Sequence, residues 1–263
     1  MEYGKLLAVL LSTAVSERPD SVDQRIAQYI MDHLGDAGAI TMRRIEQSCH
    51  VGNASISRFC RRIGLRDFFE LRELVAAVRF QADADAADTF AGRMAAPRDD
   101  ILESLDQVVA SLSETGVRAL CADIHRYRRV AVFGILKSEA AALVLQSEMA
   151  ALGKNLFTVV SHVQQREWLR TAGADDLVIL LSYRGIYLDY LPEEDPAQGL
   201  AAPRVWLITG ATDPPPAGVD AVLRFDTDFD QRRHPHQMAF VCDTLVREYA
   251  RMYGLPEAKT PQP

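Results

Sequence analysis

No two cysteines stand close enough in this sequence to seed a metal site or a disulfide framework. The four present (Cys49, Cys60, Cys121, Cys242) are scattered singly, without a C-x-x-C pair. They read as reduced, small apolar fillers, and no zinc is predicted. Long apolar runs are missing too. Leu6–Leu11 is only six residues long and has acidic flanks at Glu2 and Glu17. It lacks a basic leader and a small-residue cleavage site, and no stretch approaches the roughly 20 apolar residues that span a bilayer. The expectation is a cytoplasmic protein with no membrane partner. A dinucleotide fold is disfavoured, because only Gly134 of a G-x-G-x-x-G set is present and no acid closes the second strand-like run. No cofactor is predicted.

What is present is ordinary in bulk and uneven in distribution. The 263 residues, 48% of them apolar and 25% charged, suit one large soluble domain or two modest ones. The net charge of −7 argues against a polyanionic partner only at the scale of the whole chain. Residues 41–80 carry eight arginines against four acids, whereas residues 81–263 hold 18 basic and 26 acidic side chains. A basic head on an acidic body is the pattern of a nucleic-acid-binding domain joined to something else. Arginines that merely solvate helices would give the same count.

Periodicity divides the chain at the same place. Residues 3–15 read as a helix, Pro19 interrupts, and Asp20 or Ser21 caps a second helix through about Leu34 with Val22, Ile26, Tyr29 and Ile30 on its buried stripe. Thr41 caps a short helix to about Cys49. A tight turn at His50-Val51-Gly52 precedes another helix over 53–63, ended by Gly64, and a further helix covers about 67–80. Residues 1–80 are therefore predicted as an all-α helix-turn-helix head, 81–98 as an Ala/Asp/Gly-rich linker, 99–255 as a second domain and 256–263 as a disordered tail. In the second domain, apolar runs at 129–133, 156–160, 177–181, 205–209 and 221–225 alternate with helical segments. That alternation predicts an α/β fold with a mostly parallel five-stranded sheet. A closing helix over about 235–253 is amphipathic through Met238, Val241, Cys242, Leu245 and Tyr249.

The helix over 53–63 has two chemically distinct faces. Ile56, Phe59, Cys60 and Ile63 recur at i, i+3, i+4, i+7 and form a buried stripe. The other side presents Ser57, Arg58, Arg61 and, at its margin, Arg62. Short residues near its start let the backbone approach base edges, and arginines fork onto guanine or phosphate. Asn53 and Ser55 stand at the helix N-terminus, where free N–H groups favour phosphate. These six are the candidate DNA-binding residues.

Residues 51–72, VGNASISRFCRRIGLRDFFELR, resemble the stretch V-S-x-A-T-I-x-R-F-x-R-K-L-G-F-x-G-F-x-E-L-K of RpiR/MurR-family transcription regulators. Gly52 stands in place of the usual serine cap, His50 in place of a turn glycine and Glu46 in place of a small residue. The resemblance implies a regulator that binds a double-stranded operator as a homodimer or homotetramer.

Roughly residues 97–255 are similar to a SIS (sugar isomerase) domain, whose ligands lie at the carboxyl ends of the strands. The resemblance implies a sensor for a sugar phosphate or related anionic metabolite, with candidate ligand residues in three loops. Gly134, Lys137 and Ser138 follow the first strand, with Leu136 where the family has a second glycine. His162 lies in Ser161-His-Val-Gln, which resembles the family's D-x-H-x-Q without its acid. Ser182, Arg184 and Gly185 match an S-x-S-G loop in which Arg184 replaces the second serine. A surface lysine, a helix-capping histidine and a pocket-filling arginine are the plain alternatives.

An isomerase would need a general base. Glu139, Glu148 and Asp189 qualify by position, but none sits in a recognisable motif. No catalytic residue and no metal ligand is predicted, and His234-Pro-His236 reads as a polar loop. The competing functions are a sugar-phosphate-processing enzyme with a helical dimerisation head, and a DNA-binding protein whose body only oligomerises.

Overall fold

The computed structural model describes residues 3–16, 18–36, 38–63, 65–76, 89–190, 202–230 and 232–254. It resolves into two compact units. The first comprises residues 1–86 with 160–166 and 190–194, and the second comprises the remainder.

The head is built from α1 (Tyr3–Ser16), α2 (Val22–Asp32), α3 (Met42–Cys49), α4 (Asn53–Arg62) and α5 (Phe68–Ala76). Each start has a local cause. The Ser21 side chain accepts from the Gln24 N–H at the head of α2, and Thr41 accepts from Arg44 N–H at the head of α3. Such caps contribute about 1 kcal/mol each. The helices close over Leu6, Leu10, Ile26, Ile30, Ile40, Ile45, Ile56, Phe59 and Leu71, all without solvent exposure. Full burial of side chains of this size stabilises by about 1.5–3 kcal/mol apiece before entropy is counted. One register detail differs from the sequence reading. Val22 faces solvent, and its neighbour Asp23 is the buried residue of that turn. Gly64, predicted to end α4, lies outside the described residues.

The body runs α6 (Phe90–Ser111), α7 (Glu114–Arg126), β1 (Arg129–Gly134), α8 (Lys137–Ala151), α9 (His162–Thr171), β2 (Asp176–Leu181), a 3₁₀ turn (Tyr187–Tyr190), β3 (Arg204–Thr209), β4 (Ala221–Arg224) and α10 (His234–Tyr253). The strands pair in parallel in the order β1-β2-β3-β4, with Gly134 opposite Leu181 at the carboxyl edge. Their near-continuous burial is what a parallel sheet covered by helices requires.

The five-stranded expectation is corrected to four among the described residues. The run 156–160 makes only an isolated parallel bridge, with Phe157 N–H donating to Val130 O and Phe157 O accepting from Val132 N–H. The Leu156 carbonyl is taken instead by the Gln146 side chain at 2.8 Å. The predicted linker also reads differently in part. Residues 81–88 lie outside the described residues, and 90–98 form the first turns of α6, Pro97 included. Thr89 caps that helix through Gly92 N–H at 3.1 Å. The tail 256–263 lies outside the described residues.

Helix α8 packs on β1 and β2, while α10 packs on α6, α7 and α8. The first turn of α8 buries a carboxylic acid. Glu139 is 6% exposed, and its Oε1 has no hydrogen-bond partner. Burial pushes its pKa up to about 7, against a smaller opposing pull from the Leu136 backbone. The unfolded carboxyl titrates near 4.5. Between these values the folded chain holds the extra proton, so stability falls as pH rises through that window and stays lower above it. Glu139→Gln should raise the thermal midpoint at pH 8, by the equivalent of about 1–3 kcal/mol. The gain should vanish by pH 4.5, and melting curves at the two pH values check this. An equal effect at both would show that the carboxyl does not titrate in this range.

Candidate nucleic-acid interface and strand-end site

In the head, α4 is fixed in rotation by Ile56, Phe59 and Cys60, which are fully buried, and by Ile63, which caps it. Burial pushes the Cys60 thiol up to about 11, so it packs as a neutral side chain. Asn53, Arg58 and Arg61 are exposed, or nearly so, and Ser55 and Ser57 are half-buried beside them. Gly52 caps α4 with extended backbone and no side-chain hydrogen bond. The first N–H groups of a helix have no intrahelical acceptors, so this terminus can receive a phosphate oxygen.

The three arginines are not equivalent. Arg58 lies along its own helix, its Nη2 donating to Ser55 Oγ at 3.0 Å. Arg61 is exposed to solvent. Arg62 crosses to α2 and donates to the buried carboxylate of Asp23. A crevice of about 190 Å³ lies between Ser21, Val22, Asp23, Ser55, Arg58 and Arg62. Asp23 gave no sequence signal, because an acid in the first turn of a helix usually faces solvent.

The turn before α4 has the geometry its length demands. His50 takes the left-handed conformation (φ 51°, ψ 51°), and its N–H donates to Glu46 O. Histidine tolerates this region less readily than glycine. Arg25 on α2 lies beside it, Nε donating to Cys49 O at 3.0 Å and Nη1 donating to Asp20 O. Sequence reasoning missed Arg25 altogether.

In the body, two of the three predicted loops meet through a shared neighbour. An added Cβ on Gly134 would stand 2.7 Å from the Ser138 carbonyl carbon, so this glycine lets α8 press against the end of β1. Leu136, in the position of the expected second glycine, adopts φ 54°, ψ −109°. That strain costs about 1–3 kcal/mol for a residue with a side chain. Ser138 Oγ is hydrogen-bonded to His234 Nε2 at 2.9 Å, and the imidazole stacks on the Tyr183 ring at 4.1 Å. Burial, then the charge of Lys137, lowers the His234 pKa to about 4, so the ring is neutral at physiological pH. The Lys137 ammonium is itself lowered by desolvation, against the attraction of Asp230.

Around the second loop, the Tyr183 hydroxyl donates to Gln237 Oε1 at 2.7 Å, and Phe229 meets the Tyr183 ring edge-on at 5.8 Å. Arg184 is exposed and lies over the Phe229 ring. Ser182 Oγ accepts from Tyr187 N–H at 3.0 Å, and Gly185 has φ +74°, which a glycine adopts freely. Gly134, Lys137, Ser138, Ser182, Arg184 and Gly185 are thus gathered at one edge of the sheet, joined by His234 and Tyr183. His162 groups instead with the first unit, its N–H donating to Ser12 Oγ at 3.1 Å. His234, read as part of a polar loop, opens α10 and is the residue between the loops. Of the acids considered as bases, Glu139 is buried, Glu148 is exposed on α8, and the Asp189 side chain lies outside the described residues.

Comparison with known proteins agrees with this division. A family profile described as "Helix-turn-helix domain, rpiR family" matches residues 7–78. An uncharacterized HTH-type transcriptional regulator from the aarA 3′ region of Providencia stuartii is 23% identical over 182 residues, covering 64% of this chain and 62% of that protein. A second uncharacterized HTH-type regulator, from Caldanaerobacter subterraneus subsp. tengcongensis, is 34% identical over 71 residues, 27% of this chain and 24% of that protein. The chain therefore spans less than two thirds of the length of either relative.

Among solved structures, the Vibrio vulnificus NanR protein complexed with ManNAc-6P aligns over 94% of this chain and 92% of its own, at TM-score 0.54 and 14% identity. The sugar isomerase domain of an RpiR transcription factor from Sphaerobacter thermophilus aligns over 60% of this chain and 89% of its own, at TM-score 0.50 and 22% identity. The c3406 protein of E. coli CFT073, solved in complex with a sugar phosphate, aligns over 61% and 89%, at TM-score 0.52 and 17% identity. At these identities the likeness shows the fold. The chain carries an RpiR-family helix-turn-helix domain, joined to an α/β body of the sugar-isomerase (SIS) fold.

Proposed function

We propose that this chain is a transcription regulator in which α4 reads a DNA duplex and the α/β body senses a small anionic metabolite, with sugar phosphates the favoured class. The observation that carries the reading is the division of α4 within an rpiR-type domain. Its Ile56, Phe59 and Cys60 side is fully buried, while Arg58 and Arg61 lie on the other side, toward solvent. A helix held that way offers two guanidinium groups and an uncapped N-terminus to a major groove. Asn53, Ser55 and Ser57 supply short polar groups at the approach. Arg62 acts as a brace to Asp23, with only part of its charge left for phosphate. Paired recognition helices imply a symmetric homodimer or homotetramer on a near-palindromic operator.

For the body, Lys137 and Arg184 are the cations that an anionic ligand would meet. Fold neighbours complexed with ManNAc-6P and with a second sugar phosphate make phosphorylated sugars the first class to try. Sensing needs only differential binding to two states, so no general base is required and no enzyme activity is assigned. A second reading, an oligomerisation scaffold that binds no metabolite, is favoured by one specific feature. The hydroxyls of Ser138 and Ser182, expected to contact a phosphate, are already bonded to His234 and to Tyr187 N–H.

Two experiments test this. A duplex enriched by the chain from a randomised library serves as the DNA probe. Arg58→Ala and Arg61→Ala should each weaken its binding at least about tenfold. Each should also flatten the log–log salt dependence by a slope of roughly one for every phosphate no longer neutralised. Melting temperatures should stay within a few degrees of the unmodified chain. Unchanged affinity in both variants would remove the recognition-helix assignment. For the body, titration with ManNAc-6P and with pentose phosphates should shift DNA affinity in the unmodified chain, and Arg184→Ala should abolish the shift. An equal response in the variant would refute the loop assignment. No response to any phosphorylated sugar would select the scaffold reading.

A further inference from the structure

The turn between α3 and α4 is held from outside. Its αL residue is His50, and the carbonyl just before it, Cys49 O, accepts from Arg25 Nε at 3.0 Å. The contact is reciprocal, since the Cys49 thiol lies 3.5 Å from Arg25 O, within reach of an S–H···O bond. The same guanidinium reaches Asp20 O, the carbonyl of a second non-glycine residue with positive φ, at 62°. Arg25 therefore binds the carbonyls beside the two left-handed residues that flank α2 and α3. Cys49 is 2% exposed, and burial raises its thiol pKa, so it remains a neutral S–H. Two residues before Arg25, Asp23 on the same helix holds Arg62 at the far end of α4.

We infer that Arg25 is a positioning residue for DNA reading: it clamps the α3–α4 turn so that His50 can occupy a glycine conformation, and thereby sets where the N-terminus of α4 stands against base edges. The inference rests on the DNA-binding reading above. Its physical logic is that a turn residue with a Cβ leaves the left-handed region unless its surroundings over-determine it. Here the fork of one guanidinium supplies that constraint, and a lysine ammonium, a single point donor, cannot span both carbonyls in the same way. Base contacts depend on the placement of α4, whereas non-specific attraction to phosphates depends on charge and tolerates small shifts.

The test uses the full chain, the duplex it enriches from a randomised library, and poly(dI-dC) as the non-specific duplex. Arg25→Met should lower affinity for the enriched duplex about tenfold, the scale of one lost charge-assisted hydrogen bond. Binding to poly(dI-dC) should change less than about twofold, since only one of many cations is removed. Arg25→Lys, which keeps the charge, should behave like the methionine variant. His50→Gly alone should leave binding unchanged. Added to either Arg25 variant, it should restore affinity for the enriched duplex to within about twofold, because glycine holds the turn unaided. If the methionine variant fails to fold, the lysine variant carries the same comparison.

Retained affinity in both Arg25 variants would overturn the inference. So would an equal loss on both duplexes, or a loss that His50→Gly does not repair. An unmodified chain that enriches no duplex would instead remove the DNA-binding reading, and the positioning role with it.

Discussion

One side of α4 is committed to the core of the head, and the rest of the interface follows from that. Ile56, Phe59 and Cys60 have no solvent exposure. Turning the helix about its axis would carry these side chains into water and the guanidinium groups of Arg58 and Arg61 into the apolar cluster. Each large apolar side chain so exposed costs on the order of 1.5–3 kcal/mol. Burying an unpaired arginine costs more. The hydrophobic stripe therefore acts as a rotational lock, and the cationic face is its outward consequence. Helix α2 adds axial constraints at both ends of α4, through Asp23 at the last turn and Arg25 at the turn before the first. The surface offered to DNA is rigid because three helices agree on its placement.

The body is organised differently. Its parallel sheet converges loops and helix N-termini on one edge, the usual arrangement for an anionic ligand in an open α/β fold. Here that edge is partly self-satisfied. His234 occupies Ser138, Tyr183 stacks on His234, and Tyr187 N–H occupies Ser182. Two buried titratable groups of this region are shifted toward their neutral forms, Glu139 by a raised pKa and His234 by a lowered one. A ligand entering here would exchange existing hydrogen bonds for its own. Such an exchange gives little affinity per contact but a clear structural response, as a sensor requires.

Much of this was legible in the residue order. The 3.6-residue period of Ile56, Phe59, Cys60 and Ile63, the caps at Ser21 and Thr41, and the turn at His50 each come from local rules that tertiary structure left intact. The failures have equally physical causes. Residues 156–160 have a strand composition, yet the Gln146 side chain removes one carbonyl and the ladder stops after a single bridge. The start of α6 is rich in alanine and contains Pro97, so its composition reads as a linker. Asp23 and Arg25 matter only through partners 39 and 24 residues away, a separation no local pattern encodes. His234 belongs to the strand-end cluster for the same reason, through Ser138 at a distance of 96 residues.

The central claim is that the outward face and N-terminus of α4 are what touch a duplex. Backbone hydrogen exchange of the full chain, with and without its enriched duplex, reads that directly. The account predicts new protection confined in the head to residues 50–62, strongest at the first turn of α4 over residues 53–56. Protection absent from α4, or appearing only in the body, would contradict it.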